Sequence, residues 1–420
     1  MTDRAADPWS GRSHAELAEL ARELLMAGHL IDRSGMPHLI SRFGRDGMRD
    51  IAIDEWMSSS PIYTHRIQQL LAFEGDTVEV IFKGMQLDVG APPEFLDFRY
   101  EVLDDHHGRF HLDHCGALMD VEPMGDDYVR TMCHEIEDPT FDATAAATNP
   151  RARMRPEHRP PRSPAGRQPH CAWTVTIEPD AEPLPYPAQA ARLAESAAAR
   201  LPVAVPPVDL PADDGWTDYA APLDPDLVME RFSSATLAAL ADEVCLQGQL
   251  LSRGFLLHVL DRSDGEEARA IGRKQLTGIA GLAAKRLARA LGLEPDLAGI
   301  AALLAVHPMF LPRSYVDLHL DVRDEALEVV LGPCPALRED DGLTWAALLA
   351  DDGDRALEAA VTALAPQARV ARAAPGAGAV AAWTVRIDPT AEPATQPDEV
   401  TLAEFSTGAR FAFERRGTAG

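Results

Sequence analysis

A chain of 420 residues exceeds what one compact core usually holds, so two domains are the starting expectation. Apolar residues make up 46% and charged residues 25%, the composition of an ordinary globular protein, and no run reaches the roughly 18 apolar residues of a spanning helix. The formal net charge of -27 repels phosphate backbones and anionic lipid, which argues against nucleic acid or membrane as partners.

The opening stretch MTDRAADPWSGRSH has no apolar signal-peptide core, and the five cysteines are an odd number with no disulfide spacing. Both point to a cytoplasmic chain whose thiols serve as core residues, ligands or nucleophiles.

The first helix begins near Ser13, with Leu17, Leu20, Ala21, Leu24 and Leu25 at helical spacing, and helical sequence continues to about residue 90. Two strand-like stretches follow, 98–104 and 108–115, joined by a polar turn at Asp104 to His107. Next come a helix over about 126–137 with Asp126 as its cap, an irregular stretch, and the strand CAWTVTI at 171–177. A Pro- and Ala-rich connection, 184–228, carries one short helix at 188–200.

Beyond it the pattern repeats. Residues 13–39 lie over 233–259 without a gap, matching Leu17, Glu23, Gly28 and Arg33 with Leu237, Glu243, Gly248 and Arg253. Arg66 meets Arg286, HCGALMD (114–120) meets PCPALRE (333–339), and AWTVTIEPDAEP (172–183) meets AWTVRIDPTAEP (382–393). The chain therefore reads as a tandem duplication of one α+β unit, 1–183 and 229–420, each a helical front followed by a hairpin, a helix and a strand. Such copies are expected to pack with pseudo-two-fold symmetry.

Residues shared by the copies serve the common fold, and residues unique to one are candidates for function. Eleven of the fourteen histidines precede residue 171. Opposite His111, His114, His170 and Cys171 the second copy has Val330, Pro333, Val380 and Ala381. The first copy is thus the expected seat of chemistry and the second a structural partner.

Three groups carry that expectation. On GRFHLDHC, strand alternation puts His111, Asp113 and Cys115 on one face and His114 on the other, an imidazole and a thiol within reach of one metal. On DDYVRTMCHEIED, Val129, Met132, Cys133 and Ile136 form the inward stripe, leaving His134 with Arg130, Glu137 and Asp138 on the polar side. His134 and Asp138 are one turn apart, as a ligand pair would be, or simply part of a charged surface face. On NPRARMRPEHRPPRSPAGRQPHC (149–171) the prolines hold Arg151, Arg153, Arg155, Arg159, Arg162 and Arg167 outside regular structure, with His158 as a titratable donor. Such an arginine cluster suits a small anionic substrate, or the protein's own acidic surface.

The order of hairpin, Cys115 at a strand end, a helix with Cys133, and a last strand opening on Cys171 and Trp173 resembles the L-2-amino-thiazoline-4-carboxylic acid hydrolase family. It is also similar to vinyl-reductase-like small-ligand domains. The resemblance covers roughly 95–180 and implies a small-molecule pocket and hydrolysis of a carbon–nitrogen bond.

The functional expectation is an enzyme acting on a small anionic metabolite, with His134, Glu135, Cys133 and His158 as catalytic candidates. Arg151, Arg155, Arg159 and Arg162 are the substrate-binding candidates. His111, His114, Cys115, His134, Asp138 and His170 are candidate ligands for zinc or iron. The alternatives are a non-heme iron oxidoreductase and a non-catalytic metal- or metabolite-binding protein. No GxxxxGK[ST], GxGxxG or GxSxG motif directs the reading to nucleotides or serine hydrolysis.

Overall fold

The computed structural model describes residues 7–413, so the first six residues of the N-terminal stretch lie outside it. Helix α1, His14–Leu70, opens on a capping box in which Ser13 Oγ accepts from the Glu16 N–H and the Glu16 carboxylate accepts from the Ser13 N–H. It breaks at Gly44, whose φ of 72° lies in the left-handed region open to glycine. Helix α2, Val78–Met85, leads into the hairpin β1, Leu96–Asp104, and β2, His107–Cys115.

Helix α3, Gly116–Val121, and helix α4, Asp126–Arg130, come next. Gly125, not Asp126, precedes the first helical residue of α4. A π-helical turn, Thr131–Ile136, then joins α4 to α5, Glu137–Thr148. Strands β3, Ala152–His158, and β4, Cys171–Ile177, complete an antiparallel sheet in the order β1-β2-β4-β3. Helix α6, Ala188–Leu193, closes the first unit.

The second unit repeats this series. Helices α7, Ser234–Leu260, and α8, Gly265–Ala290, stand for the two arms of α1, and α9, Leu297–Ala305, for α2. Strands β5, Leu318–Arg323, and β6, Ala326–Leu331, form the hairpin. Helices α10, Trp345–Asp352, and α11, Asp354–Leu364, precede β7, Ala368–Ala373, β8, Ala381–Ile387, and α12, Asp398–Ala403. The second sheet has the same order, β5-β6-β8-β7. The molecule is thus α+β with two similar units.

Two sequence expectations need correction. The arginine-rich stretch expected to be irregular contains β3, an edge strand. Ala152 and Met154 face the core, Arg153 and Arg155 point outward, and an edge position accommodates Pro156 because it requires no donor there. Nor is this stretch peculiar to the first copy. Arg153 donates to the carbonyls of Pro150, Ala152 and Glu182, and Arg369 on β7 to those of Pro366, Ala368 and Glu392. The repeat also runs past the last strand, since α6 and α12 each lead into a Ser-initiated turn at Ser196 and Ser406.

Helix α1 packs along both α7 and α8. Arg66 on α1 holds Glu243 on α7 through two bonds of 2.8 Å, and Arg286 on α8 holds Glu23 on α1 at 2.7 and 2.9 Å. Arg66 also caps Leu201 O after α6, and Arg286 caps Phe411 O after α12. Likewise Asp120 accepts from Thr407 N in the second unit, and Glu339 from Ala197 N in the first. Each unit thus lends the other groups of the kind it receives.

Candidate functional site

A cavity of about 140 Å³ lies inside the first unit. Its walls are the middle of α1, the inner face of the hairpin, the π-turn with α5, and the start of β4. Apolar side chains such as Trp56, Phe98, Phe141 and Met132 supply most of the lining. The polar contributions are His29, Asp32, Arg33, Asp88, Glu137, His170, the hydroxyls of Thr140 and Thr144, which are bonded to Ile136 O and Ser60 Oγ, and the thiols of Cys115, Cys133 and Cys171.

The π-turn places Glu137. A π-turn adds one residue to the helical repeat and rotates the residues after it by about a third of a turn. A regular 3.6-residue period puts Glu137 on the polar side with His134, as the sequence suggested. The rotation instead carries it into the cavity. Its carboxylate has no hydrogen-bond partner among the described residues, and burial raises its pKa to about 8, against the opposing pull of Arg159. The second unit has Gly353 between α10 and α11 at this junction.

Around the cavity, buried ionisable groups are unevenly paired. Arg33 Nη1 donates to Asp32 at 2.7 Å and its Nε to Asp120 at 3.2 Å. Asp88 accepts from Tyr63 Oη at 2.8 Å and Gly90 N at 2.6 Å, and burial raises it to about 6. His29 is 4% exposed, yet neither ring nitrogen finds a partner among the described residues. Behind this wall Glu55, wholly buried, has both carboxylate oxygens unpartnered, and burial beside Asp32 holds its pKa well above the ordinary carboxylate range.

The second unit keeps the arginine, as Arg253, but has neutral groups in place of His29, Asp32 and Glu55. Gln249 stands for His29 and donates to Pro308 O and Leu311 O at 3.1 and 3.2 Å. Ser252 and Gln275 stand for Asp32 and Glu55 and bond to each other at 3.4 Å. Ala52 lines the cavity, whereas a Cβ at its counterpart Gly272 would meet Leu256 at 2.5 Å and Leu348 at 2.8 Å. Those leucines occupy the places of Met36 and Met132, so packed hydrocarbon takes up that volume.

Among the sequence candidates, the cavity gathers Cys133, Cys115 and His170. The expected shared face of His111 and Cys115 is corrected by a bulge. β1 advances from Leu96 to Phe98 while β2 spans Leu112 to Cys115, which turns Cys115 inward. There Cys115 Sγ accepts from Leu118 N and caps α3. His111 stays on the open outer face, 3.3 Å from Asp113, with His158 on the same face across Ala172.

His114 Nδ1 lies 2.9 Å from Phe95 O, its ring 6.2 Å from that of His170. His134 Nε2 meets Pro160 O at 2.7 Å, and Glu135 pairs with Arg49 at 3.0 Å on the surface. These positions are dispersed. Among the described residues no group of three or more His, Cys, Asp or Glu is arranged to hold a metal ion. Burial pushes the Cys115 thiol to about 12 and those of Cys133 and Cys171 well above their ordinary value, so all three rest as neutral thiols.

None of the arginine candidates lines the cavity. Arg155 holds Asp142, Arg162 holds Glu122 at 2.8 Å, and Arg159 holds Asp138 while its guanidinium lies 5.8 Å from the Trp173 ring centre. The second unit repeats this last cluster with Arg372, Asp354 and Trp383. Asp138 and Trp173 are thus common to both copies, whereas the arginine comes from beyond β3 in the first unit and from within β7 in the second. Arg151 immediately precedes β3, its backbone N–H donating to Asn149 Oδ1.

The residues that sequence reading missed are His29, Asp32, Asp88 and Glu137. A signal existed for two of them: within the gapless match of 13–39 to 233–259, His29 faces Gln249 and Asp32 faces Ser252. No helix among the described residues is long and apolar enough to cross a membrane. No protein-family model, curated protein or solved structure matches this chain.

Proposed function

We propose that the first unit is the reaction chamber of an enzyme acting on one small, compact molecule, with Glu137 as the group that gives and takes a proton. The observation that carries this reading is Glu137 itself, an unpartnered carboxyl turned into the cavity by the π-turn where the second unit has a glycine. A carboxyl poised near neutrality suits general acid–base work, because both protonation states are accessible at working pH. His29 and His170, whose pKa values burial lowers, supply neutral imidazoles as further acceptors. The second unit supports the walls through the shared ion pairs.

The size of the chamber bounds the substrate. An engineered apolar cavity of about 150 Å³ accommodates benzene, so a substrate of roughly six to eight heavy atoms fits. Benzyl alcohol is a suitable probe, with Trp56 fluorescence as reporter. Wild-type protein is expected to bind it saturably, and Ala52→Leu, which fills the chamber, to abolish binding while keeping the circular dichroism spectrum. Equal binding by wild type and Ala52→Leu would place the probe elsewhere and remove the basis of the reading.

A further inference from the structure

We propose that the occupant of this chamber is a small organic cation bearing N–H donors, a primary ammonium or a protonated nitrogen heterocycle. This rests on the chamber reading and adds the class of molecule.

The hydrogen-bonding inventory of the wall leads to it. Asp32, Asp88 and Glu137 offer carboxylate oxygens, and His29 offers a ring nitrogen with nothing to accept from. The one arginine in the lining, Arg33, is already engaged by Asp32 and Asp120. An anionic occupant would meet the Asp32 and Asp88 carboxylates, the Glu137 carboxyl and no uncommitted cation, which is unfavourable at low dielectric. A donor-rich cation meets the reverse: acceptors to bond and negative charge to neutralise. The rings of Trp56, Phe98 and Phe141 in the same wall add favourable faces for a cation.

The second unit provides an internal comparison. Its Gln249, Ser252 and Gln275, in place of His29, Asp32 and Glu55, remove the acidic and imidazole groups together. A purely structural role would not require the first unit to keep buried acids unpaired, since each costs desolvation energy.

Binding also moves a proton. Glu137 is faced by Cys115 from β2, Cys133 from the π-turn, Cys171 from β4 and Arg159 from beyond β3, with Asp138 beside it. Asp32, Arg33 and His29 on α1, with Asp88 and His170, complete the charged and titratable surroundings. At pH 7 the free carboxyl is mostly protonated. An ammonium favours the carboxylate, so the carboxyl O–H bond breaks, the ion pair forms, and the proton leaves to solvent.

The test is calorimetric titration of the full chain at pH 7 with benzylammonium, benzyl alcohol and benzoate, each in two buffers of different ionisation enthalpy. Benzylammonium is expected to bind at least about tenfold more tightly than the other two, releasing close to one proton. Glu137→Gln should abolish that release and weaken benzylammonium binding about tenfold while sparing benzyl alcohol. His29→Gln, which installs the second unit's residue, is a milder variant that should weaken benzylammonium alone. Benzoate binding as tightly as benzylammonium, or cation binding without proton release, overturns the inference. Uptake of benzyl alcohol but not benzylammonium overturns the cation while leaving the chamber standing. Failure of all three probes overturns both.

Discussion

Glu137 shows how one side chain acquires unusual chemistry from its setting. Folding keeps its proton at pH values where the unfolded chain, titrating near roughly pH 4.3, has already lost it. With a raised folded pKa, the contribution to stability is fully present below the unfolded value and is lost as pH rises towards about 8. The melting temperature of the wild type should therefore fall between pH 6 and 8, and that of Glu137→Gln should fall less. Asp88, at about 6, Asp242 on α7, at about 7, and Glu55, held well above the ordinary range, contribute to the slope that remains. Melting curves at several pH values check this, and parallel profiles for the two proteins would contradict it. The three cavity thiols bear on the same scale. Their burial keeps them neutral, so slow reaction with an alkylating reagent at pH 7.5 is expected, speeding up only on unfolding.

Among elements, the helical interface is where energy concentrates. Arg66 and Arg286 bind glutamates of the opposite unit in bidentate fashion, with all four side chains nearly buried. Removing one partner from a buried pair strands the other charge, at a cost of about 3–5 kcal/mol. Arg66→Met and Arg286→Met should each show this as a loss in denaturation midpoint. The exposed pair Arg192–Asp261 serves as control, and Arg192→Met should shift stability by less than about 1 kcal/mol. The strand elements were only partly legible. The period-two spacing of Arg151, Arg153 and Arg155 is a strand pattern, hidden by prolines that an edge strand tolerates.

For the whole molecule, the reciprocal contacts mean that neither unit completes itself. The turn at Ser406 and Thr407 satisfies Asp120, and that at Ala197 satisfies Glu339. The connection between the units is open to solvent at Val205 and Val208, 80% and 93% exposed, ahead of the stretch that Tyr219 ties to the first unit. Cutting the chain after Val208 and co-expressing the halves should yield a stable one-to-one complex, whereas each half alone should aggregate or stay unfolded. Size-exclusion chromatography distinguishes these outcomes. Two independently folded, non-associating halves would show that the exchanged contacts are incidental.

The duplication, the α+β class and the location of the unusual residues in the first copy were open to reading in the sequence, because repeated residues and hydrophobic periods are local properties of the chain. The inward stripe of Val129, Met132, Cys133 and Ile136 was legible for the same reason. The site itself was decided by tertiary structure. A π-turn and a β-bulge each insert one residue, and each turns a side chain, Glu137 or Cys115, away from the face that periodicity assigns. The groups that meet in the cavity come from α1, the segment at Asp88, the hairpin, α5 and β4, far apart along the chain. Their burial, and the titration that burial imposes, exists only once those elements close around one another.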